Sequence, residues 1–184
     1  MKKFFALALA LVMAFAMVAC GDNAGGNADV NAKSEGVMTY AEYAAAALDT
    51  EVTIETYIQA KQGWWENEGV GVATFYTQDA DGAYFLYNMP CTEEEYMNLK
   101  VGTKIKVTGK KIAWEGEVEI SEATFEILEG SYIAPAFDAT SLLGTEELIK
   151  HQNKFVTFKG LTVVKVEYKN GEPGDDIYVT VSLN

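Results

Sequence analysis

The amino-acid sequence predicts a mainly β protein. Five segments alternate apolar and polar residues with period two, glycine-bearing turns separate several of them, and helical signals are confined to short stretches opened by threonine.

The elements follow in chain order. Residues 40–48 (YAEYAAAAL) are Ala-rich, with Thr39 placed to cap one or two helical turns. Residues 51–59 then alternate, Val52, Ile54, Thr56 and Ile58 sharing one face and Glu51, Thr53, Glu55 and Tyr57 the other, which predicts the first strand. A loop over 61–69 holds Trp64 and Trp65. Residues 70–78 and 83–89 are β-branched and aromatic, and Asp79-Ala80-Asp81-Gly82 between them predicts a hairpin turn. Thr92-Glu93-Glu94-Glu95 reads as a capping box opening a short helix to about Leu99. Residues 103–110 form a fourth strand, with Gly109 as a bulge or bend. Residues 117–128 form a fifth, with a phase shift near Ser121-Glu122 that turns Ala123, Phe125 and Ile127 inward.

Three strands, a helix and two strands match the order of the OB-fold, a five-stranded Greek-key barrel. The stretch Val101-Gly102-Thr103-Lys104-Ile105-Lys106-Val107-Thr108-Gly109-Lys110, with Gly82 to Tyr87 and Glu117 to Ile120, resembles the OB domains of secreted and lipid-anchored bacterial proteins. Some members of that group accompany extracellular nucleases, and others are lipoproteins without an assigned role. Further on, Thr145-Glu146-Glu147-Leu148 reads as another capping box. Residues 154–168 and 177–183 read as strands that repeat the opening of the first domain, so a partial second OB-like unit, a helix plus a β-hairpin, is expected.

The N-terminus has the layout of a secretory signal: Lys2 and Lys3, an uncharged run from Phe4 to Val18, then Ala19 and Cys20. Met17-Val18-Ala19-Cys20 resembles a bacterial lipobox, which makes Cys20 the expected lipidation site and the outer face of the cell membrane the expected location. The organisation predicted is a signal peptide at 1–19, a Gly- and Asn-rich tether at 20–36, an OB-fold domain at 37–130, a linker at 131–144 and, at 145–184, either the partial unit or a β-hairpin packed on the first domain. With Cys20 acylated, Cys91 has no partner for an intramolecular disulfide, and the glutamates after it disfavour a thiolate.

The 184 residues hold 14 Lys, no Arg and 27 acidic residues, a formal charge of −13. A chain without a guanidinium to grip phosphate, and with a field that repels polyanions, is a poor nucleic-acid binder. No motif for catalysis, for a cofactor or for a metal emerges: Asp79-x-Asp81-Gly82 lacks the later ligands of a calcium loop, and His151 has no nucleophile near it in sequence. The predicted function is therefore a non-enzymatic binding module. Trp64, Trp65 and Trp114 frame its cleft, Tyr76 and Tyr84 lie on the strands between, and the ligand is a neutral or cationic glycan or peptide. Two alternatives stand beside it: a structural lipoprotein that pairs with a partner through barrel edges, and an accessory nucleic-acid-binding domain of an extracellular nuclease.

Overall fold

A computed structural model describes residues 32–172 and 176–183. The predicted signal peptide, Cys20 and most of the predicted tether lie outside the described residues. Among those described, no helix is long and apolar enough to cross a membrane.

The chain enters through α1 (Tyr40–Ala45), where Thr39 and Glu42 form a reciprocal capping box. Then come β1 (Thr50–Lys61), β2 (Trp65–Asn67), β3 (Val70–Gln78), β4 (Ala83–Pro90), α2 (Glu93–Asn98), β5 (Thr103–Trp114) and β6 (Glu117–Ser131). Thr92 and Glu95 cap α2 in the same way, as the sequence predicts.

These strands form one six-stranded sheet in the order β1-β5-β6-β4-β3-β2, and β1 also pairs with β3. All ladders are antiparallel except β4 against β6, which meet through the single parallel pair Leu86↔Ile120. The sheet is strongly curled, because β1 lies against β5 over residues 50–57 and against β3 over 57–61. Two bulges help it bend. Asn88 takes a φ of 45° where the β3–β4 register slips, and Glu122 a φ of 51° where the β5–β6 register slips beside Gly109. A Cβ on Gly109 would stand 2.7 Å from the Ile120 side chain and 2.8 Å from the Ser121 carbonyl, so only glycine fits that crossing.

Inward-facing Val52, Ile54, Ile58, Phe75, Tyr84, Leu86, Met89, Leu99, Ile105, Val107 and Ile120 make the core. The alternation in β1 breaks down at Glu55, which is fully buried although its sequence face is the polar one. Lys104 Nζ stands 2.8 Å from its carboxylate across the β1–β5 ladder, and Ser34 lies alongside. Burial pushes Glu55 up, but Lys104 and Ser34 together outweigh it and hold the carboxyl below its ordinary value. A carboxylate depressed in the fold stabilises it above the unfolded pKa of about 4.3, and that contribution is lost as the pH falls through the folded value. Glu55→Gln is expected to lower stability at neutral pH and to flatten the acid limb of the stability curve, read by urea denaturation from pH 7 to pH 3.

Beyond Ser131 the chain makes β7 (Phe137–Asp138), 3₁₀ turns at Thr140–Leu142 and Glu146–His151, β8 (Val156–Thr157), β9 (Leu161–Tyr168) and β10 (Ile177–Leu183). β7 and β8 form a two-residue parallel pair, while β9 and β10 form a separate antiparallel hairpin.

The expected fold class is corrected on these findings. What forms is a mixed six-stranded sheet with short helices, not a five-stranded OB-fold Greek-key barrel with a partial copy behind it. The loop holding the tryptophans supplies the sixth strand, β2, because Glu68 and Gly69 adopt positive φ and fold Trp65–Asn67 back onto Val70–Val72. Of the expected second unit the hairpin forms, as β9–β10, separate from the first sheet. The unit's expected helix is a 3₁₀ turn, and Thr145 donates to the Leu142 carbonyl instead of capping.

Candidate functional site

The five residues predicted to contact a ligand do not form one surface. Tyr84 is core: it is fully buried, packs edge-on against Tyr40 at 5.5 Å and Tyr43 at 4.9 Å between ring centroids, and its hydroxyl donates to Asp79. Tyr76 projects from the opposite, outward face of β3, half-buried, with its hydroxyl held by Gln62 at 3.0 Å. Phe85 packs 5.0 Å from it and Tyr87 lies 6.3 Å beyond, so the outward face of β3–β4 carries a three-ring stripe. Trp65 is about half exposed on β2, and Trp114 is 69% exposed at the end of β5. No ring contact joins the three tryptophans among the described residues.

Trp64 lines a cleft. Its indole N–H donates to the Cys91 carbonyl at 2.9 Å, which ties the loop after β1 to the end of β4. The ring then lies over Gly71, where a Cβ would come within 2.6 Å of both Trp64 and the Cys91 carbonyl. Glycine at this position lets the indole pack there, and beside it lies a shallow cleft of about 560 Å³ lined by Trp64, Val70, Gly71, Pro90, Cys91 and the first turn of α2. The cleft is wide open to solvent.

The lining is mostly apolar, and its two charged residues, Glu93 and Glu95, are carboxylates. Glu95 is fixed by its capping role: its carboxylate accepts from the Thr92 backbone N–H at 2.7 Å and from the Thr92 hydroxyl at 2.9 Å. Those bonds hold its pKa below the ordinary glutamate value, the backbone one leading. Cys91 is a free, buried thiol. Burial first, and then the Glu95 charge, push its pKa up to about 11 against the pull of Lys61, so it stays protonated at neutral pH and serves as wall.

Composition flagged Trp64 but missed its partners. Gly69-Val70-Gly71-Val72 is the one local signal, since glycine inside a strand marks a close approach by another group. The Cys91 carbonyl that holds the indole is 27 residues away and carries no side-chain signature.

The other chemical candidates resolve into structural roles. Asp79 Oδ1 accepts from the backbone of Asp81 at 2.8 Å and Gly82 at 2.7 Å, which builds the β3–β4 turn. Oδ2 accepts from the Tyr84 hydroxyl at 3.0 Å and from Lys33 Nζ at 2.7 Å, so the buried carboxylate has four donors. Lys33 also donates to the Glu55 carbonyl. His151 stacks on Phe137 at 4.5 Å. Among the described residues no group of three or more His, Cys, Asp or Glu is placed to hold a metal ion.

Compared with known proteins, the chain matches no family model and no curated protein. The resemblance to bacterial extracytoplasmic OB-fold lipoproteins therefore has no support beyond short strand and turn motifs, and the six-stranded mixed sheet removes its structural basis. The functions drawn from it fall with it: the glycan- or peptide-binding OB module, the edge-pairing assembly protein and the nuclease accessory domain.

Proposed function

We propose that this chain is an extracytoplasmic protein, held at the membrane by a lipid on Cys20, whose Trp64 cleft takes a small organic cation with a compact apolar body. The anchor is supported by Met17-Val18-Ala19-Cys20 behind an apolar run. The cleft reading is carried by one observation: a shallow, mostly apolar cleft beside an indole whose charged lining residues are the carboxylates Glu93 and Glu95. An indole wall and a carboxylate rim favour an ammonium group on an apolar stem over its anionic counterpart. The chain's net charge of −13 adds a long-range field of the same sign. This ligand is compact, unlike the extended polymer a line of three tryptophans would stack on.

Calorimetric titration of the full-length chain in detergent with benzylammonium and hexylammonium, against benzoate and hexanoate, tests the cleft. Saturable binding of the amines, at least about tenfold tighter than the acids, is the expected result. Val70→Lys, at an exposed lining position, should abolish it, whereas Trp114→Phe should leave it intact. Equal binding of acids and amines, or none by either, overturns the reading. In cell fractions the wild type should follow the membrane and Cys20→Ser should not; a soluble wild type rejects the anchor.

A further inference from the structure

Residues 33–38 lead into α1 as an irregular segment. Ala32, Ser34, Glu35 and Gly36 are exposed, but Lys33 among them turns inward, its side chain only 9% exposed. A turn at Glu35-Gly36 follows, closed by the Val37 N–H donating to the Ser34 carbonyl at 3.2 Å. Beyond it the Met38 N–H donates to the Thr53 carbonyl at 2.8 Å and fastens the segment to β1. Ser34 also meets the Glu55 carboxylate.

The Lys33 ammonium enters a place that the sheet builds without it. Nζ donates to Asp79 Oδ2 at 2.7 Å and to the Glu55 carbonyl at 2.8 Å, and the Asp79 side chain is fully buried. Both acceptors are fixed by other partners. The Asp81 and Gly82 N–H groups hold Asp79 Oδ1, the Tyr84 hydroxyl holds Oδ2, and the Glu55 carbonyl belongs to β1. Tyr40 lies over the turn, where a Cβ on Gly82 would stand 2.0 Å from its ring.

We infer that this end of the sheet is a binding site for a free primary alkylammonium, and that Lys33 is the displaceable internal ligand that fills it, with residues 33–38 as its strap. A buried carboxylate beside a carbonyl selects a group that is both charged and able to donate at least two N–H bonds. A lysine stem already occupies the approach, so an unbranched chain fits it. The occupant comes from an otherwise exposed segment, which makes the contact autoinhibitory: a free amine competes with a tethered one. Displacement frees residues 33–37, which at full extension adds about 17 Å to the chain leading to the N-terminus. The site shares no residue with the Trp64 cleft.

Lys33→Ala removes three methylenes and the ammonium, the shape of n-propylammonium. Urea denaturation of the full-length chain in detergent, with Val70→Lys present throughout to block the Trp64 cleft, reads the site. Lys33→Ala should lower the midpoint, and n-propylammonium should restore at least about half of the loss, saturably, as a ligand of the folded chain alone does. Tetramethylammonium, which has no N–H, and 1-propanol, which has no charge, should restore none of it. The double variant Lys33→Ala, Asp79→Asn should not respond to the amine. In the chain that keeps Lys33, about 100 mM n-propylammonium exceeds the millimolar effective concentration of a tethered group. It should speed amide exchange at Val37 and leave Met38, bonded to β1, protected. A Lys33→Ala chain that folds only with the amine supports the site. One that the amine does not restore, or that tetramethylammonium or propanol restores as well, overturns the inference, as does unchanged exchange at Val37.

Discussion

Asp79→Ala is expected to cost about 3–5 kcal/mol of folding stability, the range for stripping one partner from a buried, charged hydrogen-bond cluster. The loss has three parts. The Asp81 and Gly82 backbone N–H groups lose the acceptor that shapes the β3–β4 turn, the Tyr84 hydroxyl is orphaned in the core, and Lys33 faces only the Glu55 carbonyl. Tyr84→Phe, which removes one donor and orphans nothing charged, should cost about 1 kcal/mol. Urea denaturation of the three proteins at neutral pH ranks them. An alanine variant within about 1 kcal/mol of wild type would show that the cluster does not hold the turn.

Lys111→Met is expected to cost about 2–4 kcal/mol, from carbonyls left without donors at the end of α1. Helix α1 is six residues long with no basic residue in its last turn, so its C-terminal carbonyls depend on a group from elsewhere. That group is Lys111 of β5, whose ammonium donates to the carbonyls of Tyr43 at 2.8 Å, Ala44 at 3.1 Å and Ala46 at 2.7 Å. It also lies 4.9 Å from the Tyr43 ring centroid. Burial draws the Lys111 pKa down, so the charged form is retained at a cost that the three carbonyls offset. Arginine should rescue little, because a planar fork does not spread its donors over three converging carbonyls. Amide exchange separates the local effect from the global one: protection should fall at Tyr43 and Ala46, which donate within α1, before it falls in β5.

Those two residues also show where sequence reading stops. Lys111 belongs to a run of lysines on an alternating strand and looks like solvent-facing charge. Its burial is dictated by a helix 65 residues earlier in the chain. Glu55 misleads in the same way, since period two assigns it to water while Lys104 and Ser34 cover it. Local chemistry was legible where the partners lie within three residues: the Thr39 cap, the Thr92 capping box and the Asp79 turn appear where the residues place them. Thr145-Glu146-Glu147-Leu148 has the same first residues but puts Leu148 where the box needs Glu or Gln, and the chain makes an uncapped 3₁₀ turn there.

Parity in β3 and β4 was the undecidable step for the site. Tyr76, Phe85 and Tyr87 on one face and Phe75, Tyr84 and Leu86 on the other are equally apolar, so hydrophobicity alone cannot orient the strands. A polar group decides it: Asp79 offers the Tyr84 hydroxyl a buried acceptor, and no equivalent acceptor meets Tyr76. The tryptophan loop failed for a different reason. Trp65-Glu66-Asn67 lacks the alternation of a strand, and its pairing with Val70–Val72 comes from the positive φ of Glu68 and Gly69.

The double pairing of β1 has a consequence for how the molecule opens. Tyr57 is matched to Lys104 on one side and to Gln78 on the other, and the Ile58 carbonyl accepts from Gly102 as well. Because β1 is held by β5 over its first two-thirds and by β3 over its last third, its full release requires both ladders to part. Under tension applied between residue 50 and residue 103, at opposite ends of the antiparallel β1–β5 ladder, the bonds between the two strands are loaded together in shear. The β9–β10 hairpin, which pairs with no other strand among the described residues, yields at lower force.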